Sequence, residues 1–522
     1  MQKFWYINFI KIGIPPIKTY AKPINFHLKL IIRENKVLRI DLKDKKIFAN
    51  EAGEDENLSV LNSYYIDHSD FDPFFDIEER LSIVSARKGM GKSALLSRLE
   101  FKLINEDLYK NPLIIRVKGN ELLGLGDFKG DDHSYLENYW KQIICKRIIL
   151  EIGNKIDFAF NSDDISIVEL SELEGFKSKN LIGSLIARIK GKLPILDVEV
   201  KSDVPKSLEN LLQRYQNSSE VPNIWVLIDD IDAKFQNTKE NQARVGSFFS
   251  AIRALSFETK NLNIRATVRS DVWSCLRHLE DLDKLQQYII KIFWSKKYMR
   301  DMLAQKILVY IENNHPNSPE SKYKLKSDYN KILDIIFKSP IDWHGDSSAK
   351  LFDAISAFSN RRPRWMGQLC KMAGRKASET PQTRKINLEH INFILSDFGS
   401  LRRDDLIKEH NHQFEELSNL IDSLRATKKE FNYIELHQIL DDNFIRGRSA
   451  NDIPYIDGKK YACLEDLGDF LYKLGLISRI HEDGKTFTHY TDDPDLYKSL
   501  QNKNGNITWS IHPAYRTFLN IK

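Results

Sequence analysis

The stretch LSIVSARKGMGKSALLSRLE, Leu81 to Glu100, decides the fold. A mostly apolar run leads into two glycines, a lysine and a serine, and a helical period follows. This order is that of a phosphate-binding P-loop, with Ala86 where the commonest form has its first glycine. A chance match occurs in on the order of a few per cent of chains this long. The strand before the loop and the helix after it make chance a poor explanation.

The residue types of the loop suit a triphosphate. Gly89 and Gly91 allow backbone N–H groups to converge on phosphate oxygens, and the following helix directs its positive end there. Lys92 is expected to bridge the β- and γ-phosphates, and the Ser93 hydroxyl to hold Mg²⁺. The stretch therefore predicts ATP and Mg²⁺ as ligands.

A second stretch, NIWVLIDDIDAKF, follows about 140 residues later and ends an apolar run on two carboxylates. In a parallel α/β sheet these carboxylates lie at the carboxyl edge, where nucleotides bind. Asp229 is expected to position Mg²⁺ through water, and Asp230 to orient the attacking water. A solvated turn after a strand is the alternative, and the preceding P-loop makes it less favoured.

A third stretch, NIRATVRSDVW, predicts a strand that ends at Thr267, Val268 and Arg269. In this fold the strand after the acidic one lies beside the P-loop strand. Arg269 is then close enough to contact the γ-phosphate, although a surface arginine at a strand end stays the alternative.

The whole pattern predicts an α/β P-loop core with a parallel sheet, a helical lid and a C-terminal winged helix. Residues 1–60 alternate between apolar and polar and predict a small β element with strands at FHLKLII and VLRIDL. The predicted domains are residues 1–60, 61–294 (the nucleotide-binding domain), 295–410 (the lid) and 411–522 (the winged helix).

Composition restricts the location and the partners. The 522 residues carry a net charge of +5, from 78 basic and 73 acidic residues. This nearly balanced charge does not by itself indicate binding to nucleic acid. The four cysteines have no metal-type spacing and indicate thiols in a reducing compartment. Lysines and a Pro-Pro pair interrupt the apolar N-terminus before it could span a membrane. We expect a cytoplasmic protein with no membrane partner.

With these three stretches in order, the chain resembles the AAA+/STAND class of P-loop ATPases. More closely it looks like bacterial stand-alone P-loop ATPases with a C-terminal winged helix. The likeness runs from about Tyr64 to the C-terminus through DFDPFFDIEERLSIVSARKGMGKSALLSRL, LIDDIDAKF, KIFWSKKYMRDMLAQKI, RRPRWMGQLCKMAGRKA and IHPAYRTFLNI.

The resemblance implies a set of site residues. It makes Asp229 the metal carboxylate, Asp230 the water-orienting carboxylate and Arg269 the first sensor of the γ-phosphate. In NRRPRWMG the lid helix begins after Pro363, and Arg364 fits the second sensor. The Asp-Asp pair, where vigorous motors of the class have Asp-Glu, indicates slow turnover. The implied nucleotide contacts are Ala86, Arg87, Lys88, Gly89, Met90, Gly91, Lys92, Ser93 and Ala94, with Ser93 also binding the metal.

Several further motifs have competing interpretations. Arg253 could serve a neighbouring subunit, but a polar position on an amphipathic helix is favoured. NKID, Asn154 to Asp157, imitates a guanine-reading motif, yet it precedes the acidic strand and is taken as a helix-end loop. His410 and His412 have no third ligand nearby, so a metal is not favoured. Trp140, Trp273 and Trp365 are expected in the core.

The resulting hypothesis is a slow ATPase. It would act as the oligomerising switch of a bacterial defence or stress system and signal to a separate effector or sensor protein. The alternative is a DNA-associated ATPase of the initiator or loader type. The presumed third helix of the winged helix, LEDLGDFLYKLG, has three acidic residues and one lysine. Phosphates would repel it, so nucleic acid stays open but is not favoured.

Overall fold

The structure is a computed structural model. It describes residues 38–51, 53–106, 112–155, 162–173, 208–218, 223–276, 279–343, 345–448, 455–456, 459–460, 463–482, 486–490 and 492–521. The chain divides into two units, Met1–Leu38 and Arg39–Lys522. Every element below lies in the second unit.

The elements are numbered in chain order. The strands are β1 Leu81–Ala86, β2 Leu113–Lys118, β3 Ile224–Asp229, β4 Leu262–Arg269, β5 Ile289–Lys291, β6 Ile341–Trp343, β7 Asp346–Ala349, β8 Glu430–Phe431, β9 Tyr455–Ile456, β10 Lys459–Lys460, β11 Ile477–Ile480, β12 Phe487–Thr488 and β13 Thr508–Ile511. The helices are α1 Leu58–Ser63, α2 Asp72–Phe75, α3 Lys92–Asn105, α4 Gly119–Gly124, α5 His133–Lys155, α6 Ser162–Leu173, α7 Leu208–Ser218, α8 Lys239–Glu258, α9 Ser270–Leu276, α10 Lys296–Asn314, α11 Leu325–Ile336, α12 Leu351–Phe358, α13 Pro363–Ser378, α14 Leu388–His410, α15 Leu417–Asp422, α16 Tyr433–Leu440, α17 Leu464–Leu474, α18 Leu500–Lys503 and α19 Pro513–Arg516.

The first five strands form one parallel sheet in the order β2-β3-β4-β1-β5. All six residues of β1 and all six of β3 are buried, as expected of strands covered on both faces. The prediction of a parallel α/β core is confirmed. Strand β4 pairs with both β1 and β3, so the strand after the acidic one does lie beside the P-loop strand. This order brings the carboxyl ends of β1, β3 and β4 to one edge.

The core of this region lies between the sheet and the helices packed on it. Helix α5 packs on α8 and on β2. Trp140 is fully buried there, and its indole N–H donates to the Arg244 carbonyl at 2.8 Å. Trp273 and Trp365 are also buried, so the expectation for all three tryptophans is confirmed.

After Ser295 the chain is mostly helical, through α10 to α14. A two-stranded antiparallel ribbon, β6 with β7, interrupts these helices where only helix was expected. The ribbon follows Pro340, which cannot continue a helix, and its first strand carries Ile341 and Trp343, both residue types that favour strands.

The C-terminal part contains α15, α16 and α17, followed by strands of an antiparallel sheet in the order β12-β11-β13-β8. Strand β8 lies between α15 and α16 and has only two residues. Such a short strand shows no hydrophobic period, so the sequence does not predict it. The predicted domain boundaries remain predictions. Among the described helices, none combines the length and the apolar character that crossing a bilayer requires.

The predicted N-terminal β element is wrong where the structure can be compared with it. The predicted strand FHLKLII lies outside the described residues. In VLRIDL, residues 38–42 form no strand, and a 3₁₀ helix, Lys45–Phe48, follows. The carboxylates of Asp41 and Asp44 accept the backbone N–H groups of Lys43 and Lys46. These local hydrogen bonds favour turns over the alternating pattern.

Candidate nucleotide site

The P-loop joins the end of β1 to the start of α3. Gly89 has φ +79° and Gly91 has φ +98°, left-handed values that glycine adopts without strain. Gly91 is the residue before the first turn of α3, and no side chain caps that turn. The first N–H groups of a helix have no partner inside it, so they are available to an anion. The predicted order of strand, loop and helix is confirmed.

A cavity of about 240 Å³ lies against this loop. It brings together three of the predicted parts, namely the loop from Lys88 to Ala94, Asp230 and Arg364. Ala86, Arg87, Asp229 and Arg269 are not among its lining residues. Lys92 is 8% exposed, so little of its side chain is open to solvent.

Asp229 ends β3 and is 2% exposed. Its Oδ1 accepts the Thr267 hydroxyl at 2.6 Å and the Asp230 backbone N–H at 3.1 Å. Two neighbouring strands therefore hold this carboxylate at the edge that the P-loop shares. Oxygen donors such as this carboxylate and the Ser93 hydroxyl are the kind that Mg²⁺ prefers.

Asp230 follows in a left-handed conformation, with φ +54°. The left-handed conformation is uncommon for residues other than glycine, but aspartate adopts it more readily than most. The turn brings Asp230 to the lining of the cavity, while Asp229 stays buried in the sheet edge. The two adjacent carboxylates thus have different surroundings, as their different predicted roles require.

Arg269 is engaged away from the cavity. Its backbone N–H donates to Asp232 Oδ2 at 2.6 Å, and its Nε to the same oxygen at 3.3 Å. Its Nη2 is also 3.8 Å from Asp271 Oδ2. Burial raises the pKa of Asp232, and the charges of Arg269 and Lys92 oppose that rise. Contact of Arg269 with the γ-phosphate therefore stays a prediction.

Arg364, the second residue of α13, lies on the P-loop. Its backbone N–H donates to the Gly89 carbonyl at 3.3 Å, and its Nε donates to the Glu51 carbonyl at 3.3 Å. A Cβ added at Gly89 would lie 3.0 Å from the Arg364 Cβ, so a larger residue would crowd this contact. The lid helix begins at Pro363, one residue earlier than predicted.

The segment around Glu51 forms one wall of the cavity, through Asn50, Glu51 and Gly53. A Cβ added at Gly53 would lie 2.7 Å from the Ala94 Cβ, so this wall packs closely on the start of α3. The sequence assigned no role to this segment. Nothing in its composition distinguishes it from an ordinary surface turn.

Glu409 is the most important residue near the P-loop that no sequence motif indicated. It is 1% exposed, and its Oε2 accepts Arg362 Nη1 at 3.0 Å. Its Oε1 accepts the Lys88 backbone N–H in the P-loop at 3.2 Å. Burial acts to raise the pKa of Glu409, but the charges of Arg362, His410 and Arg87 hold that pKa well below its usual value. Glu409 is therefore a buried carboxylate that connects the lid to the P-loop.

Arg87 connects the P-loop to the C-terminal part. Its Nη2 donates to the Lys473 carbonyl, at the end of α17, at 2.6 Å. Burial and the charge of Arg362 lower the pKa of Arg87 to about 10, which leaves it charged at neutral pH. A cation at a helix C-terminus also interacts favourably with the helix dipole. The loop predicted to hold phosphate thus also contacts α17.

The remaining motifs lie elsewhere. Arg253 is on α8 and does not line the cavity. His410 Nδ1 is 2.7 Å from Gln413 Oε1, and His412 Nε2 is 3.6 Å from Asp271 Oδ2. No group of three or more histidine, cysteine, aspartate or glutamate residues that could hold a metal ion occurs in the part of the chain that the structure describes. Of NKID, the first two residues end α5 and the other two lie outside the described residues.

No protein-family model matches the chain, and no curated protein is similar to it in sequence. Three solved structures of archaeal proteins are similar at a low level. Aeropyrum pernix ORC2, in ADPNP-ADP complexes, has 11% identity over 91% of this chain and 96% of that chain, with a TM-score of 0.39. Aeropyrum pernix ORC1, in complex with DNA, has 12% identity over 91% and 96%, with a TM-score of 0.34. Cdc6p from Pyrobaculum aerophilum has 10% identity over 91% and 98%, with a TM-score of 0.30. At such TM-scores these similarities carry no argument.

Proposed function

We propose that the chain is a P-loop ATPase of the AAA+/STAND-like class that binds MgATP, hydrolyses it slowly and acts as an oligomerising molecular switch. One observation supports this most: a single cavity is lined by the P-loop, Asp230 and Arg364. These residues come from three separate parts of the chain. Their convergence is what a triphosphate site needs, and an ordinary glycine-rich bend does not require it.

In this proposal the N–H groups from Gly89 to Ala94 and the Lys92 ammonium bind the phosphates. Ser93 and Asp229 hold Mg²⁺, which would neutralise charge on the β- and γ-phosphates. Asp230 orients a water molecule for attack on the γ-phosphate. Arg364 contacts the same phosphate from the lid, so closure of the lid reports which nucleotide is bound.

The switch depends on two contacts of the P-loop. Lys88 is bonded to Glu409 at the end of α14, and Arg87 to the last turn of α17. A conformational change of the P-loop on nucleotide binding would therefore act on both α14 and α17. A role in bacterial defence or stress signalling, with a separate effector or sensor protein, comes from the family resemblance alone. The molecular mass with ADP and with ATP tests whether nucleotide controls assembly.

Replacing Lys92 by alanine tests the proposal. The substitution removes a charged donor from the phosphate site, so we expect the Kd for MgATP to rise by about 10- to 100-fold. Calorimetric titration measures it. Lys102→Ala is the matched control, because Lys102 lies on the same helix and does not line the cavity. Unchanged ATP affinity in Lys92→Ala would refute the site.

DNA binding is the second candidate function, and one feature favours it. The ribbon of β9 and β10 carries Tyr455, which is 59% exposed, together with Lys459 and Lys460. Aromatic rings and lysines are the residue types that nucleic-acid surfaces use. The presumed recognition helix α17 is less suited, since all its residues are buried or half-buried. Lys498 and Lys503 pair with its carboxylates.

The ATPase rate with and without duplex DNA, at two salt concentrations, separates the two candidates. The switch proposal expects no effect of DNA on the rate. The DNA proposal expects a stimulation that weakens as salt rises, because phosphate contacts release counterions. A stimulation that is lost in Tyr455→Ala would assign it to the ribbon.

A further inference from the structure

Lys306 lies in the proposed nucleotide cavity without belonging to any of the motifs. It is on α10, one turn after Met302, and both residues line the cavity. Residues four apart on a helix share a face, so the two side chains point to the same side. Other apolar and aromatic residues of the lining, on the segment before β1, are Leu61, Tyr64, Tyr65, Ile66 and Phe71.

The Lys306 ammonium is poorly compensated within the protein. Its Nζ donates to the Phe48 carbonyl at 3.4 Å and lies 5.1 Å from the centre of the Tyr64 ring. Among the described residues, no carboxylate lies within ion-pair distance of it. A carbonyl and a ring face satisfy only part of an ammonium with three donors.

The two carboxylates that act electrostatically on Lys306 are already engaged. Glu51 accepts Gln368 Nε2 at 2.6 Å and pairs with Lys371 at 3.5 Å. Glu56 accepts the Asn50 backbone N–H at 2.9 Å, and it also accepts the Tyr64 hydroxyl at 3.2 Å. Lys306 therefore lines the cavity with donor capacity that a ligand can use.

The contacts of Lys306 indicate which part of a nucleotide this would be. Its partners Phe48 and Tyr64 belong to the segment before β1. Within the described ranges of the chain, no hydrogen bond or ion pair joins its ammonium to the loop from Lys88 to Ser93. Lys306 thus adjoins the part of the lining that precedes β1, beside the apolar residues given above. A nucleoside fits this part of the lining better than a phosphate does.

We infer that Lys306 Nζ donates a hydrogen bond to a ring nitrogen of the nucleotide base and so contributes to base binding. The inference rests on the proposed ATPase function. Purine ring nitrogens are acceptors, and an ammonium with unused donors is a complementary partner. The apolar side chains around it supply the flat surface that the base requires.

The charges around Lys306 make this contact sensitive to pH. Burial and the charge of Lys371 lower the pKa of Lys306 to about 8, against opposing effects of Glu56, Cys370 and Glu51. A bound acceptor favours the ammonium form, so ATP binds best below that pKa. The affinity should fall as the pH rises above about 8. This pH dependence should be absent in a variant without the amine.

Calorimetric titration of MgATP and of inorganic tripolyphosphate tests the inference. In Lys306→Met we expect the ATP Kd to rise about tenfold or more, and tripolyphosphate binding to stay nearly unchanged. Lys297→Met is the matched control, since Lys297 is on the same helix and is exposed. We expect Lys297→Met to bind both ligands like the wild type.

Two results would overturn the inference while the proposed function stands. The first is an unchanged ATP affinity in Lys306→Met. The second is an equal loss for both ligands, which would place Lys306 at the phosphates or in the framework of the site. Failure of the wild type to bind ATP is a different outcome, because it removes the proposed function and this inference with it.

Discussion

Asp230→Asn is expected to lower the rate of ATP turnover by about 100- to 10,000-fold, the range for loss of a positioned acid-base group. The asparagine keeps the size of the side chain but cannot accept a proton from water. ATP affinity should stay close to that of the wild type, because the phosphate ligands are unchanged. Single-turnover hydrolysis and equilibrium binding, measured on the same preparation, separate the two effects.

The surface substitution Asp342→Asn is the control for this variant. Asp342 is exposed on β6 and does not line the cavity, so turnover should be unaffected. Wild-type turnover in Asp230→Asn would remove the catalytic role given to Asp230. A large loss of ATP affinity in the same variant would instead make Asp230 a binding residue.

Arg362→Ala is expected to lower the free energy of unfolding by about 3–5 kcal/mol, because it leaves a buried carboxylate without its partner. Arg362 and Glu409 are 2% and 0% exposed in their side chains, and their charged atoms are 3.0 Å apart. Urea denaturation monitored by tryptophan fluorescence measures the change. Trp365 reports on this region, since Arg362 Cζ lies 4.5 Å from the centre of its ring.

A double variant distinguishes the charge pair from simple packing. In Arg362→Met with Glu409→Met neither charge is buried, so most of the lost stability should return. If the double variant is as unstable as Arg362→Ala, packing rather than the unpaired charge explains the loss. If Arg362→Ala unfolds like the wild type, the buried pair has no stabilising role.

The sheet and the phosphate loop could be predicted because their signals are local. Six residues of β1, two glycines and the start of α3 lie within one continuous stretch. The place of β4 beside β1 followed from the fold class once that loop was identified. In such cases hydrophobic period and turn chemistry agree with the final structure.

The rest of the site depends on contacts between distant parts of the chain. Glu409 is 321 residues from Lys88 and 47 from Arg362, and no local pattern relates them. Arg269 illustrates a different limit. Its strand and its position were predicted, but the direction of its side chain is set by Asp232 across the sheet edge.

The N-terminal segment shows how short-range polar groups override a hydrophobic pattern. The alternation in VLRIDL indicated a strand, yet Asp41 and Asp44 bind nearby backbone N–H groups and turn the chain. The same segment then continues to Glu51 and Gly53 in the wall of the cavity. Its contribution to the site could not be seen without the fold.

The most direct test is an experimental structure of the chain with Mg²⁺ and a non-hydrolysable ATP analogue. We expect the triphosphate on the N–H groups around Gly91 and Lys92, with the metal reached by Ser93 and Asp229. The base should lie in the part of the cavity that Lys306 lines. A triphosphate bound elsewhere, with Lys92 and Asp229 both uninvolved, would contradict the account.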